Sequence, residues 1–464
     1  MPPTSEVLGE RNRGKLGPVV LLVTHVVPLP PTAGNEIRIL KLIAWLRDQG
    51  WFVILQLRVQ ELPPDVVAAL EQVVDRLVLL PRDPKVSGKS RRAASSNPLV
   101  AAVSWRLAGL RQRALAMPAV ARFMIRRKPD GGNASNESAA VRTRRLLCPP
   151  ALVETTRQLC DEYSPKAVIV EYIFLSKCLD AAPAGSLKVI DTIDLFSEKQ
   201  IGVLAHGIDD PLACTPEEER EYLLKADLVI AIQAREAVQM ARLVPERRVI
   251  TVGIDFEVSK GLHQECVVPG RVLVVGSDNP MNVHGLQTFL ASAWPAIAAQ
   301  CPWASLRIAG KIGTGVDGSI ARVELAGWVE SLSAEYAAAD VVINPVVAGT
   351  GLKIKTVEAL CHGSAVVAYP NGVDGLARVD PPAFLVADSG SAFAASVIGL
   401  LRDSAVRAGL QQAALSYARE QFDRETVYAP LKKEFLVHFA PSQSAARAAR
   451  LGAESTATAG GRGL

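Results

Sequence analysis

A short β-branched run followed by a stretch with helical periodicity recurs along most of this chain, and that alternation restricts the fold more than any other feature. Val19–Thr24 is a continuous apolar run. Residues 35–49 then carry Ile37, Leu40, Ile43, Ala44 and Leu46 at helical spacing until Gly50 ends the pattern, and 51–57 is the next run. Strands that are apolar on both faces must be covered on both, which points to parallel strands flanked by helices. The rhythm resumes at 167–170, Leu187–Asp191, 228–232 and 249–251.

A second series begins at 271–276 (RVLVVG), with a helix expected over 283–300 and strands at 305–310, Val323–Gly327, 340–345 and 365–369. A helix over 352–362 is stopped by Gly363. The expected class is α/β, with two Rossmann-like domains facing across a cleft. A first domain spans 18–255 with an insertion at 84–150, and a second spans 268–418. A final helix is expected over 419–440, and disordered tails at 1–17 and 441–464. Ligands of open α/β sheets bind beyond the carboxyl ends of the strands, so the cleft is the expected site.

Composition narrows the function. The chain has 464 residues, enough for about three cores at roughly 150 residues each, or two large ones. Lys+Arg 51 against Asp+Glu 47 is too balanced for a nucleic-acid binder acting through its overall field. Seven cysteines, none in a C-x-x-C pair, and six scattered histidines argue against a zinc site or a disulfide framework. Together with the lack of an apolar leader or membrane-length run, this reads as a cytoplasmic protein. One segment departs from the rest: 84–129 holds eleven Lys/Arg and no Asp/Glu, so the remainder of the chain is net acidic. Leu99, Val103, Leu107, Leu110 and Met117 share a helical face there, with Arg106 and Arg113 turned away. Such a helix suits either an anionic membrane surface, which would make the protein peripheral on the inner face of the plasma membrane, or a solvated face packed on the first domain.

The chemistry concentrates in 340–376. A strand ends at Pro345, a loop carries Gly349, Thr350 and Gly351, and a helix follows. Two glycines let the backbone turn tightly beside a ligand, and the N–H groups of the first helical turn then face it. Lys353 and Lys355 sit in that turn, where their charge opposes the helix dipole unless an anion offsets it. That is the local argument for a bound phosphate. A common turn and a surface Lys355–Glu358 pair would explain the same residues without one.

The same stretch resembles the donor-site signature of retaining GT-B glycosyltransferases of the family-4 type. The resemblance rests on Gly349/Gly351, Lys353/Lys355, Glu358-Ala359-Leu360, His362-Gly363, Val366-Val367 and Gly372…Gly375-Leu376. It implies that Glu358 binds the ribose of a nucleotide-sugar and that Lys353 or Lys355 binds its diphosphate, with Thr350 and Leu352 completing the loop. Thr350 stands where many members carry a second Glu. The run from Leu325 through Trp328 and Val329 to Tyr336 and Asp340 resembles the family segment that frames the nucleobase. Asn282 lies in the turn after the first donor-domain strand, and Gly34-Asn35, with Arg38, takes the place of a Gly-Gly…Arg turn near the donor phosphate. The likeness runs over about 18–440 and is weakest between 60 and 150; it implies that 18–255 is the acceptor domain, that 268–418 is the donor domain, and that the helix over 419–440 crosses back to the first.

What the resemblance implies is transfer of a hexose from a nucleotide diphosphate sugar to a hydroxyl acceptor (a glycan, a lipid-linked or a small molecule), with retention and without a metal or other cofactor. Glu171 and Asp194, each following a strand, are the acceptor-side candidates for binding or deprotonating that hydroxyl; a helix cap or turn role fits them equally. His25 closes the first strand, as a turn support or a cleft residue. Two rival readings stay open: a silent relative acting as a sugar-nucleotide-binding or partner subunit, and a sugar-nucleotide epimerase. A nicotinamide oxidoreductase is disfavoured, since no Gly-x-Gly-x-x-Gly follows either first strand.

Overall fold

The computed structural model describes residues 17–31, 33–59, 61–81, 139–207, 212–262 and 266–439. Strands β1 (Val19–Thr24), β2 (Phe52–Val59), β3 (Arg76–Pro81), β4 (Ala167–Glu171), β5 (Leu187–Asp191), β6 (Leu228–Ala231) and β7 (Arg248–Thr251) form one sheet in the order β3-β2-β1-β4-β5-β6-β7. Strands β8 (Arg271–Val275), β9 (Ser305–Ala309), β10 (Val323–Gly327), β11 (Val341–Asn344), β12 (Val366–Ala368) and β13 (Leu385–Val386) form a second, ordered β10-β9-β8-β11-β12-β13. Every pairing is parallel, and helices cover both faces, as the unbroken apolar runs require.

In each sheet the order reverses at the first strand: β1 lies between β2 and β4, β8 between β9 and β11. Connections leave on opposite sides there, opening a crevice at the carboxyl ends. The two crevices face each other.

Some boundaries differ from the sequence expectation, each for a local reason. The helix over 283–300 is two, Pro280–Ser292 and Trp294–Gln300, because Pro295 cannot continue the hydrogen-bond ladder. The helix over 352–362 is shorter, Ile354–Cys361, with Lys353 as its cap in a non-helical conformation. Strands β3 and β13 are additions. The first is a half-exposed edge with weak apolar alternation, and the second is two residues long. The basic segment 84–129 and nearly all of both tails lie outside the described residues. From the end of the insertion, the helix Ala139–Leu147 is described; its Arg144 pairs with Glu218 at 2.6 Å.

The final helix, Arg424–Phe439, returns to the first domain as expected. Its Val427, Tyr428, Leu431 and Phe435 are buried in that domain's core with Trp45 and Trp51. The Tyr428 ring stacks on Trp45 at 4.8 Å. Two spans of chain therefore join the domains, near 252–270 and 421–424, and they touch where Phe256 N–H donates to Phe422 O (3.4 Å). Among the described residues no helix is long and apolar enough to cross a membrane.

Candidate donor cleft between the two domains

A cavity of ≈ 300 Å³ lies where the carboxyl ends of the two sheets meet. Gly34, Asn35, Tyr172, Asp194 and Lys199 line it from the first domain; Asn282 and Gly349 to Lys355 line it from the second.

The Gly-rich loop is shaped by its neighbours before any ligand is considered. Strand β11 ends at Asn344, whose amide donates to Thr356 Oγ1 (2.7 Å) and Gly372 O (3.1 Å). Asn371 Nδ2 holds Gly349 O at 2.8 Å. Gly349 (φ 116°) and Gly351 (φ 75°) take left-handed conformations that side chains disfavour. At Gly351 space is also decisive, since a Cβ there would stand 2.7 Å from Asp194 Oδ1 and 2.9 Å from Ile193 O. The loop thus presses directly against the facing domain.

The two lysines are less exposed to one another than the sequence suggests. Lys353 folds back so that its Nζ donates to the carbonyls of Thr350 (2.9 Å), Gly351 (3.0 Å) and Gly349 (3.4 Å). Burial lowers its pKa, while Asp194, Asp374 and Glu236 pull it back up. Lys355 Nζ lies 3.0 Å from Glu358 Oε2, which also accepts from Tyr336 OH at 3.2 Å. Contrary to the sequence expectation, the two cations therefore do not stand unopposed at the helix start. Lys353 clamps the loop's own carbonyls, and Lys355 is partnered by the carboxylate one turn on. Both still line the cavity.

Other donor-side candidates are distributed around this loop. Leu352 and Thr350 line the cavity, and Asn282 does so with its amide turned to Ser277 O (3.3 Å) and Oγ (3.2 Å). Glu358 is buried beside Lys355 rather than in the cavity wall. Trp328 is 74% exposed at the end of β10, outside the cavity, with Val329 next to it.

On the acceptor side the structure separates the two carboxylates. Asp194 faces the cleft: Oδ2 accepts from Lys199 Nζ at 3.0 Å and Oδ1 accepts from Thr350 Oγ1 at 3.1 Å, across the domain boundary. Glu171 does not face it. The last residue of β4 points into the interior, 0% exposed, with neither carboxylate oxygen hydrogen-bonded. Burial and the nearby Asp191 charge push its pKa well up despite Arg38. A carboxyl enclosed in the first domain's interior and absent from the cavity wall cannot reach an acceptor hydroxyl, and Glu171 is removed from the catalytic candidates. Tyr172 follows it at φ 69° and turns into the cleft, where its hydroxyl accepts from Asn35 Nδ2 (3.0 Å). Arg38 is likewise unavailable to a phosphate, being committed to both Asp191 oxygens (2.7 and 2.8 Å) and to Val252 O (2.9 Å). Gly34 matters for packing, since a Cβ there would stand 2.7 Å from Ile354 Cδ1. His25 packs on the Tyr172 ring at 5.0 Å, outside the cavity wall.

Glu236, which the sequence marks only as part of a Glu218…Asp227…Glu236 pattern resembling the end of the family's acceptor domain, makes a site contact that pattern did not foretell. It stands at the start of the helix Ala234–Leu243, fully buried, and its Oε1 accepts from Gly351 N–H at 2.6 Å and from Gln233 Nε2 at 2.9 Å. Its place in the sequence, 115 residues from Gly351, gives no local signal of that contact.

With the geometry in place, three comparisons with known proteins can be set beside it. Residues 269–403 match the family described as glycosyl transferases group 1. A curated relative, an uncharacterized 44.6 kDa protein in the cps region of Klebsiella pneumoniae, is 26% identical over 176 residues, covering 35% of this chain and 45% of that protein. The chain thus spans less than half the length of that relative. Among solved structures, sucrose-phosphate synthase from Thermosynechococcus elongatus superposes at TM-score 0.61 and 17% identity, over 92% of this chain and 100% of that one. Anabaena HepE in complex with UDP-glucose follows at 0.56 and 15%, over 90% and 99%. A mutant of S. aureus TarM in complex with fondaparinux, α-GlcNAc-glycerol and UDP follows at 0.60 and 10%, over 91% and 100%. At these identities the likeness establishes the GT-B fold.

Proposed function

We propose that this GT-B protein, whose residues 269–403 match the glycosyl transferases group 1 family, transfers a hexose from a nucleotide diphosphate sugar to a hydroxyl acceptor with retention of configuration. One observation carries the reading. The Gly349–Gly351 turn delivers the start of the helix Ile354–Cys361, with Lys353 and Lys355, to the wall of the interdomain cavity. Amides at a helix start, with a cation at hand that can turn toward the ligand, suit a pyrophosphate.

In this scheme the bond between the anomeric carbon and the diphosphate oxygen breaks, and the charge left on that oxygen is met by loop amides and by Lys355. Lys353 acts mainly by holding the loop carbonyls away from the anion. Glu358, once Lys355 turns toward the phosphate, accepts from ribose hydroxyls. Trp328 and Val329 border the nucleobase. Asp194 accepts a hydrogen bond from a hydroxyl of the acceptor or the transferred sugar, and the acceptor proton passes to the departing phosphate. The scheme assigns the leaving-group charge to amides and lysines, with no metal. HepE and TarM were each solved with UDP or a UDP-sugar, which makes UDP the first nucleotide to try. A lipid-linked acceptor and attachment to an anionic membrane through 84–129 belong to the same proposal.

The test is a titration with UDP, ADP and GDP, followed by incubation with the matching sugar nucleotides and NMR assignment of the product anomer. Failure of all nucleoside diphosphates to bind would end the reading. Binding with neither transfer nor hydrolysis would favour a sugar-nucleotide-binding subunit, the alternative that Thr350, engaged by Asp194, supports.

A further inference from the structure

We infer that Glu236, a residue of the first domain, is a positioning residue for the Gly-rich loop of the second: the loop takes its working shape only when the domains close and Glu236 Oε1 receives the Gly351 N–H. The inference rests on the donor-loop reading above and extends it, because it names what couples closure to the formation of the site.

Three observations carry it. The contact crosses the domain boundary at 2.6 Å, and the acceptor is fixed, since Gln233 Nε2 donates to the same oxygen. The second oxygen, Oε2, is buried with no hydrogen-bond partner, an unusual state for a group that could otherwise ionise in water. Finally, Gly351 has a left-handed φ of 75° and lies so close to Ile193 and Asp194 that a Cβ there would stand 2.9 and 2.7 Å from their oxygens, so the loop meets the first domain at this residue.

The contact has a protonic consequence. Asp194 from the turn after β5 faces the carboxyl with like charge, Lys353 from the donor loop faces it with opposite charge, and Gln233 lies on its own side; Lys199 and Asp374 stand one contact further out. Burial first, then Asp194, raise the Glu236 pKa to about 7. An opened cleft returns the carboxyl to water and to the usual glutamate range, near 4.3. The closed form therefore binds a proton that the open form releases at intermediate pH, and the stabilisation of closure present at low pH is lost as pH rises through about 7. Oε1 accepts from Gly351 N–H in either protonation state, with the proton on Oε2.

The experiment uses the full chain and the variants Glu236→Gln and Glu236→Ala. In unliganded protein, amide exchange of the peptide covering 349–353 is followed by mass spectrometry at pH 6 and pH 8.5, corrected for the intrinsic rate. Wild type is expected to be more protected at pH 6. Glu236→Gln keeps an acceptor and should be protected about equally at both, and Glu236→Ala should lose about tenfold of the protection at either. UDP affinity is measured in parallel, with a loss of about tenfold expected for Glu236→Ala and under about threefold for Glu236→Gln. Unchanged exchange in Glu236→Ala would overturn the inference. Altered exchange with no UDP binding in wild type would leave the coupling standing and sink the donor reading instead.

Discussion

Asp194 Oδ1 and Thr350 Oγ1 meet at 3.1 Å across the cleft, one from each domain. The carboxylate is held from its other oxygen by Lys199, so its orientation is set from both sides. A group placed this way can exchange the Thr350 hydroxyl for a sugar hydroxyl without moving. Asp194→Ala should raise the acceptor or donor-sugar KM by at least about tenfold while leaving UDP affinity within about threefold. Steady-state kinetics with a calorimetric UDP titration would check this; equal losses in both would mean that Asp194 only stabilises the loop.

The two loop lysines should separate. Lys355→Ala removes the cation able to turn toward a diphosphate and should weaken UDP binding by roughly tenfold or more, with little change in melting temperature. Lys353→Ala strips the clamp from three carbonyls. It should lose about 1–3 kcal/mol of stability as well as affinity. Thermal unfolding beside calorimetry distinguishes them.

Gly351→Ala meets two obstacles, a left-handed φ and a Cβ 2.7 Å from Asp194 Oδ1. The relief available is to open the cleft. Small-angle scattering should show a larger radius of gyration than wild type, and turnover should fall by more than about tenfold.

Glu171 gives a test of stability against pH. Its native pKa is raised by burial and by Asp191, so relative to the unfolded chain the native state is progressively penalised above the ordinary glutamate pKa, as ionisation becomes favourable in water. Glu171→Gln is neutral at every pH. It should melt with wild type near pH 4 and above wild type at pH 8, and a pH-independent difference would refute the assignment.

Leu431 is fully buried where the final helix meets the first domain. Leu431→Ala should cost about 2–5 kcal/mol, read from denaturant unfolding of the first domain's core.

Much of the fold was legible because strands such as β1, β4 and β5 are buried on both faces, and unbroken apolar runs have few other solutions. Edge strand β3 was missed because half-exposure dilutes that signal. In the site, Gly349, Gly351, Lys353 and Lys355 were found from one continuous stretch, where turn chemistry and helix polarity are local properties. What that stretch could not reveal is where side chains turn. Lys353 bends back on its own carbonyls, and Glu171 points inward although Asp194, also just past a strand, points out. The contact of Glu236 escaped because it is made only with Gly351, brought to it by the meeting of two domains.

The paired crossings at 252–270 and 421–424 limit how the halves can move. A single tether would permit swivelling in any direction. Two adjacent tethers, linked to each other from Phe256 to Phe422 and fastened to the first domain by Arg38 on Val252 and by Arg424 on Asp48 (2.7 Å), act like the two pins of a door. Swinging remains easy and twisting does not, so each reopening returns the same pair of surfaces to register.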